Sequence, residues 1–521
     1  MIKIVNVDEK NIFENSSNDQ ISFQFMSWKQ LDTALNNNNK NLSFSGEEEK
    51  EAVFPDYMLL SQVNQNDVLI ENVVNKLLKK HWPIQLLYDI SVTKNKELLS
   101  ILNENRAIKV DLSDINYFLE EAQKYLFNGQ EGSKLSIGNT LMRRHQENQL
   151  NILGHVNTVF EGIWGQQFNQ IYTWRYNYIF QENKVIELWL EYESEQAVEI
   201  ILNITRISSD GQNIIQTTSL SETDLQNPYV ITSFNPGEYL SASVSAKGKG
   251  KVKLGQLHIR RSRKALGTFF VGGKRIVSEN RQELMTYFHP GDRKPPLNVY
   301  FSGYRSAEGF EGNFMMRGLS APYLLVTDPR LEGGSFYMGK RDIEENLIQT
   351  IKSTLKELDF TESQLVLSGL SMGTFGALYY AADLQPHAVI IGKPLVNIGD
   401  VAYHEHTIRP NMFPTSLDML LNIAGESNVI TKENVNNRFW NKFTHGNYQN
   451  TKFCIAFMRN DDYDPMAFKS IQKFCDQKGI PLLSKGFVGR HNDNSYAINS
   501  WFIKQYKNIL QYDFGRVGTV E

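Results

Sequence analysis

A chain of 521 residues, 41% hydrophobic and 21% charged, has room for about three domains, each with a core of its own. A net charge of −4 argues against a dedicated nucleic-acid binder, and no apolar run approaches the ~20 residues that cross a bilayer. The opening MIKIVNVDEKNIFEN lacks the basic and apolar regions of an export signal, and the two cysteines, Cys454 and Cys475, read as buried reduced thiols, so the expected compartment is the cytoplasm.

Residues 1–130 alternate strand and helix signals. IKIVNV, DYMLLSQ and AIKVDL read as strands, VLIENVVNKLLKKH and KELLSILNEN as amphipathic helices. This alternation predicts a Rossmann-like α/β domain. No glycine fingerprint follows its first strand, so no nucleotide is assigned to it. Asn36 to Asn39 and Glu47 to Glu51 read as a solvated low-complexity loop, and residues 131–155, polar and mixed in charge, as a linker.

Over residues 156–264 the period changes to two. VIELWLEY, AVEIILNI, NIIQTTSL, YVITSF, YLSASVSA and KVKLGQLHIRR, separated by Gly, Asn, Asp and Pro, predict a β-sandwich of carbohydrate-binding-like type. Trp164, Trp174, Trp189, Tyr172 and Tyr176 have the chemistry to stack on sugar rings. Large aromatics also fill sandwich cores, and that is the stronger explanation for them.

Residues 265–521 read as a hairpin turning at Gly272-Gly273, then a long α/β succession. LNVYFSGY is a strand, Ser306 to Met316 a helix, YLLVTDPR a strand and Asp342 to Leu358 a helix. After QLVLSGLSMGTFGALYY come strand AVIIGKP, a helical stretch through the 410s to 430s, strand KFCIAFM, helix Pro465 to Gln477, strand LLSKGFV and a helix from Asn494. The succession predicts a mainly parallel sheet covered on both faces, with active groups at the carboxyl ends of its strands.

Within it, Gly369-Leu370-Ser371-Met372-Gly373 joins a buried-strand pattern to a helix pattern. Such a turn strains its central residue, and glycines on either side let strand and helix approach. Ser371 is therefore the expected nucleophile. A glycine-rich turn that merely packs helix on sheet around a phosphate is the plainer alternative, but the GxGxxG spacing is missing and no P-loop lysine follows. A serine hydroxyl needs a base, and His491, at the end of the last strand, is the expected one. His387 precedes a strand, at the wrong edge, while His404, His406 and His445 lie in less regular sequence, the first two as a polar loop pair rather than metal ligands.

For the acid that orients the base, Asp461, Asp462 and Asp464 all follow strand KFCIAFM. Asp461 is nearest the strand end, and Asp464 precedes a proline, where N-capping is the expected task. Oxyanion donors are expected from the amides of Met372 and Tyr304, the latter in the Gly303-Tyr304 turn, which reads equally as an ordinary tight βα turn. Loop PRLEGGSFYMG reads either as part of an acceptor site, with Phe336 or Tyr337 as a stacking face, or as a mobile surface loop.

SGLSMGTFGALYY, FMRNDDYDPMAF and FVGRHNDNSYA resemble the second of the three accessory secretory proteins of the accessory Sec system in streptococci and staphylococci. The resemblance covers essentially the whole chain. It implies an α/β-hydrolase-like catalytic domain with Ser371 as nucleophile, His491 as base and Asp461 as acid. It also implies O-acetyl transfer to GlcNAc on serine-rich-repeat adhesins, coupled to their export. The implied partners are the two sister accessory proteins, the motor ATPase and the glycosylated adhesin, with the protein cytoplasmic and peripheral at the membrane through that machinery. No cofactor is expected to be bound, no CoA-binding signature is visible, and the acetyl donor stays open. Two other readings fit the same residues: a carbohydrate esterase, and a non-catalytic export chaperone with a vestigial triad.

Overall fold

The computed structural model describes residues 1–14, 16, 18–36, 55–61, 72–74, 76, 85–91, 96–104, 106–138, 140–142, 149–407 and 416–516. Among them the chain forms three sheets. The first holds β1 (Ile2–Asp8), β2 (Ile21–Ser27), β3 (Tyr57–Leu60), β4 (Gln85–Asp89) and β5 (Ile108–Val110), all parallel, in the order β2-β1-β3-β4-β5. Both faces are covered, Val5 and Val7 packing into one core and Ile2 and Ile4 into another, which is why IKIVNV reads as nearly continuous apolar sequence. β2 and β4 escape the sequence reading because ISFQFMS and QLLYD interleave polar residues with apolar ones. The polar loop expected at Asn36–Asn39 and Glu47–Glu51 falls, beyond Asn36, outside the described residues, as does most of the helix expected at VLIENVVNKLLKKH.

The second sheet is antiparallel throughout. Its ten strands are β6 (Gly132–Leu135), β7 (Thr140–Met142), β8 (Gln149–Leu153), β9 (Asn157–Trp174), β10 (Tyr178–Ile179), β11 (Ile186–Ser194), β12 (Val198–Ile207), β13 (Ile214–Ser221), β14 (Tyr229–Ile231) and β15 (Tyr239–Arg261). The sandwich pattern predicts two separate sheets; one hydrogen-bonded network is observed. The reason lies in β15, which pairs with β12 through residues 239–248 and with β11 through residues 252–261, so pairing never breaks between the halves. The strand bends at Gly248, where φ is +98° and a Cβ would sit 2.1 Å from the Ala197 carbonyl oxygen. The expected linker, residues 131–155, instead supplies β6, β7 and β8 to this sheet. Ser133, Gln149 and Asn151 are exposed on these short segments, and polarity there mimics a connection. Trp164, Trp174, Trp189 and Tyr172 are all buried, and only Tyr176 stands exposed.

The third sheet contains β16 (Lys274–Val277), β17 (Glu283–His289), β18 (Leu297–Phe301), β19 (Tyr323–Thr327), β20 (Leu365–Leu370), β21 (Ala388–Gly392), β22 (Lys452–Met458) and β23 (Leu482–Phe487). Their order is β16-β17-β19-β18-β20-β21-β22-β23, with β16 and β17 antiparallel and the rest parallel. Val299 and Leu367 face one core, Tyr300 and Val366 the other. Gly272-Gly273 precedes the β16–β17 hairpin rather than turning it; the turn is at residues 278–282. The helix expected at Ser306–Met316 shortens to Asn313–Arg317, because the preceding residues form a loop pinned by its neighbours. His404 and His406 sit on helix Ile398–Thr407, and His445 on helix Val429–His445, rather than in loops. Cys454 and Cys475 are free and buried, and burial pushes both thiols up to about 12.

Leu367 is fully buried in the central strand of this sheet. Leu367→Ala should cost about 2–5 kcal/mol, read as a lower denaturation midpoint of the third-sheet unit in urea. A loss under about 1 kcal/mol would show that the strand is not packed as described.

Candidate active site

The serine turn is built by contacts that leave no room for side chains on its flanks. A Cβ on Gly369 would lie 2.3 Å from the Gly373 carbonyl carbon, and one on Gly373 would lie 2.0 Å from the Phe301 carbonyl oxygen at the end of β18. The helix Met372–Leu384 is thereby drawn against β20 and β18, and Ser371 between them is held at φ 52°, ψ −119°. Such a backbone is strained for a residue with a side chain, and it persists only when its surroundings over-determine it. Here the Ser371 amide donates to the Gly392 carbonyl at 2.9 Å, and the Ser371 carbonyl accepts from the Thr374 hydroxyl at 2.6 Å. That hydroxyl accepts in turn from the Leu395 amide at 2.9 Å.

At the carboxyl edge of the sheet, Ser371 Oγ lies 2.8 Å from His491 Nε2. His491 Nδ1 lies 2.9 Å from Asp461 Oδ2. The His491 and Asp461 side chains are 4% and 7% exposed, so water competes little for either contact. Asp461 Oδ1 accepts from the amides of Tyr463 at 2.9 Å and Asp464 at 3.1 Å. Burial raises the Asp461 pKa, but the His491 hydrogen bond and charge, with the two amides, outweigh it and hold the carboxyl below its usual range. An ionised Asp461 fixes the proton of neutral His491 on Nδ1, leaving Nε2 to accept from the serine hydroxyl.

The two neighbouring carboxylates are occupied elsewhere. Asp462 Oδ1 accepts from the His491 amide at 3.0 Å, tying the histidine loop to the end of β22. Asp464 does not cap the next helix, which begins at Ala467 without a side-chain cap. Instead it turns inward, where its carboxylate accepts from the amides of Val396 at 2.8 Å and Asn397 at 2.7 Å, and burial pushes its pKa up. Phe336 and Tyr337 are buried, and the Tyr337 hydroxyl donates to the Ser302 carbonyl at 2.5 Å, so neither ring is a stacking face. Their loop is no loose excursion: Asp328 Oδ2 accepts from the amides of Ser335 and Tyr337, each at 2.9 Å.

Met372 is the first residue of its helix, and its side chain packs against Gly334, 2.9 Å from where a Cβ would be. The amide of Gly303 donates to Glu311 Oε2 at 2.6 Å, and the half-exposed Tyr304 ring lies over Gly333. Sequence reasoning missed Lys393, which follows β21 at φ 61° and donates to Ser495 Oγ at 3.1 Å. Burial pulls its pKa down against the pull of Asp461 and Asp493. A lone lysine beside a proline in GKP carries no signal that would have marked it. Among the described residues no group of three or more His, Cys, Asp or Glu side chains is arranged to hold a metal ion.

A mixed α/β protein, with a strained serine on a strand-to-helix turn and an imidazole–carboxylate pair against its hydroxyl, is the class that fold and site define. The chain matches the family model described as "Accessory Sec system GspB-transporter" over residues 1–516, and it belongs to that family. Curated accessory Sec system proteins from Staphylococcus aureus (43% identical over 397 residues, 76% of each chain) and Streptococcus gordonii (38% over 411 residues, 79% of this chain and 80% of the other) are similar to it. So is a chain in the structure of the glycosylation-associated protein (Gap123) complex of Streptococcus agalactiae, at 35% identity and TM-score 0.84, with 99% of both chains covered.

Because the folded pKa of Asp461 lies below its unfolded value, its charge stabilises the fold above the usual carboxylate range. That contribution is lost as pH falls through the lowered pKa. Asp461→Asn should therefore flatten the acid limb of the stability–pH curve below about pH 5, measured by urea unfolding at each pH. A curve parallel to the wild type would contradict the charge assignment.

Proposed function

We propose that the chain is a serine-dependent acyltransferase of α/β-hydrolase type, with Ser371 as nucleophile, His491 as general base and Asp461 as the group that orients it. The unbroken run from the Ser371 hydroxyl through the His491 imidazole to the Asp461 carboxylate carries this reading, at 2.8 and 2.9 Å. The third sheet supports it, since the serine turn follows the central parallel strand β20 and acid and base follow β22 and β23, in the chain order Ser, Asp, His. In this arrangement the parallel sheet at residues 2–110 is a Rossmann-like unit and the antiparallel sheet a second accessory unit, both preceding the catalytic one.

In the first half-reaction Ser371 Oγ bonds to the acyl carbonyl carbon while its proton passes to His491 Nε2. The carbonyl oxygen, now negative, is received by the amides of Met372 and Tyr304. Collapse of the intermediate breaks the bond to the donor's leaving group, which takes the proton from His491. In the second half an acceptor hydroxyl gives its proton to His491 and attacks the acyl-serine. The new ester leaves and Ser371 recovers its proton.

The resemblance of SGLSMGTFGALYY and FVGRHNDNSYA to the accessory secretory family supports acetyl as the acyl group and GlcNAc on a serine-rich-repeat adhesin as the acceptor. It also supports action alongside two sister accessory proteins and a motor ATPase at the cytoplasmic side of the membrane. The likeness to a chain of the Gap123 complex supports the sister-protein assembly. No helix among the described residues is long and apolar enough to cross a membrane, in keeping with peripheral attachment through that machinery.

Purified protein supplied with a radiolabelled activated acetyl ester should label a GlcNAc-bearing adhesin fragment. Ser371→Ala should abolish the transfer, and Asp461→Asn should lower kcat on the order of 10³- to 10⁴-fold. Net release of acetate from acetylated glycan would favour an esterase instead. Unchanged glycan acetylation in Ser371→Ala cells would leave an export role alone.

A further inference from the structure

The loop of residues 302–311 joins β18 to helix Asn313–Arg317 and runs directly beside the serine turn. A Cβ on Gly303 would lie 3.3 Å from the carbonyl oxygen of Leu370, the residue before Ser371. The loop has no helix or strand of its own, so its backbone must be fixed by side chains. Glu311 closes it from within, accepting from the Gly303 amide at 2.6 Å, while the Glu311 amide donates to Ser302 Oγ at 3.0 Å.

The outer fastenings come from the antiparallel sheet and the segment leading into it. Gln130 clasps the backbone of Phe310 on both sides: Nε2 donates to its carbonyl at 3.0 Å and Oε1 accepts from its amide at 2.6 Å. Glu308 enters a buried ionic cluster. Its Oε1 lies 2.5 Å from His258 Nδ1, and its Oε2 accepts from Arg260 Nε at 2.5 Å. Arg260 Nη2 lies 2.7 Å from Glu283, and His258 Nε2 lies 2.9 Å from Glu191. The side chains of Glu308, His258, Arg260 and Glu283 are each 1% exposed.

Lys134 on β6 completes the fastening, with Nζ 3.8 Å from Glu308 Oε1 and donating to the carbonyl of Leu331. Leu331 belongs to the second loop against the site, whose Gly334 packs on Met372 and whose Gly333 lies under Tyr304. One lysine thus ties together the two loops that flank the nucleophile.

Removing this many charges from water is costly, and apolar residues of similar volume would often stabilise a fold as well or better. What the ions supply that apolar packing does not is direction, since each fixes a neighbour's position through short, oriented hydrogen bonds. A displacement of about 1 Å in a catalytic donor is enough to cost on the order of 100-fold in rate.

Resting on the acyl-transfer reading above, we propose that Glu308 and Gln130 are positioning residues that hold the 302–311 loop so that the Tyr304 amide meets the developing oxyanion. The antiparallel sheet, through His258, Arg260 and Lys134, is then part of the acyl-transfer unit rather than a separable sugar-reading module. The burial of Trp164, Trp174, Trp189 and Tyr172 agrees with that assignment.

The test uses the full chain and p-nitrophenyl acetate, comparing wild type, Ser371→Ala, Gln130→Leu and Glu308→Gln. Gln130→Leu removes the clasp on Phe310 without unbalancing buried charge, so it decides the matter if Glu308→Gln fails to fold. The expected result is a kcat lowered about 10- to 100-fold in Gln130→Leu, with KM within about twofold. The pH profile of kcat should be unchanged, because the His491–Asp461 pair is untouched. A loss of turnover that only tracks a loss of folded protein, by circular dichroism of the same samples, overturns the proposal. So does wild-type turnover in folded Gln130→Leu while Ser371→Ala is inactive, and in that case the acyl-transfer reading survives. If wild type and Ser371→Ala turn over the ester equally, that reading falls and the positioning role falls with it.

Discussion

The 2.8 Å contact between Ser371 and His491 joins residues 120 positions apart, and most of the third sheet is arranged around it. The serine is available because Gly369 and Gly373 let a helix press against two strands, forcing the residue between them into a backbone it would not otherwise adopt. The histidine is available because its loop is bound twice to the end of β22, once through its ring to Asp461 and once through its backbone to Asp462. Neither side of the contact can drift without breaking hydrogen bonds that are largely shielded from water.

Asp464, the last of the three aspartates after β22, anchors the Val396–Asn397 turn, and that turn follows the strand whose Gly392 carbonyl holds the Ser371 amide. Lys393 lies between them, nearly buried, with the carboxylates of Asp461 and Asp493 in its field. On the opposite flank the ionic cluster around Glu308 and Arg260 joins the antiparallel sheet to the loops after β18 and β19. The helix end and segment that follow the parallel sheet are held as well: Arg263, just after β15, donates to the carbonyls of Tyr125, Phe127 and Gly129.

The residues around that turn were legible in the sequence for a physical reason. A strand buried on both faces reads as an unbroken apolar run, and a turn that tolerates only glycine on its flanks writes its constraint directly as GLSMG. His491 was legible because it lies in the loop just after the last strand of an α/β succession. What the sequence hid was chemistry decided by distant partners. Asp464 beside a proline has the local signature of a helix cap, yet buried amides of a turn 67 residues away capture it. Residues 131–155 look like a linker by polarity, because pairing partners, not local pattern, make β6 to β8 into strands. His258, Arg260 and Glu308 each look solvent-exposed by type, and only the assembled fold shows that they neutralise one another.

The central claim is that the Ser371 hydroxyl becomes a carrier of acyl groups. It is tested most directly by mixing the protein with an activated acetyl ester, quenching in acid within the first turnover, and measuring the intact mass followed by peptide mapping. The account predicts one added acetyl group per chain, located on Ser371, and absent when His491 is replaced by Gln. An unmodified chain, or an acetyl group found elsewhere and equally in Ser371→Ala, would contradict it.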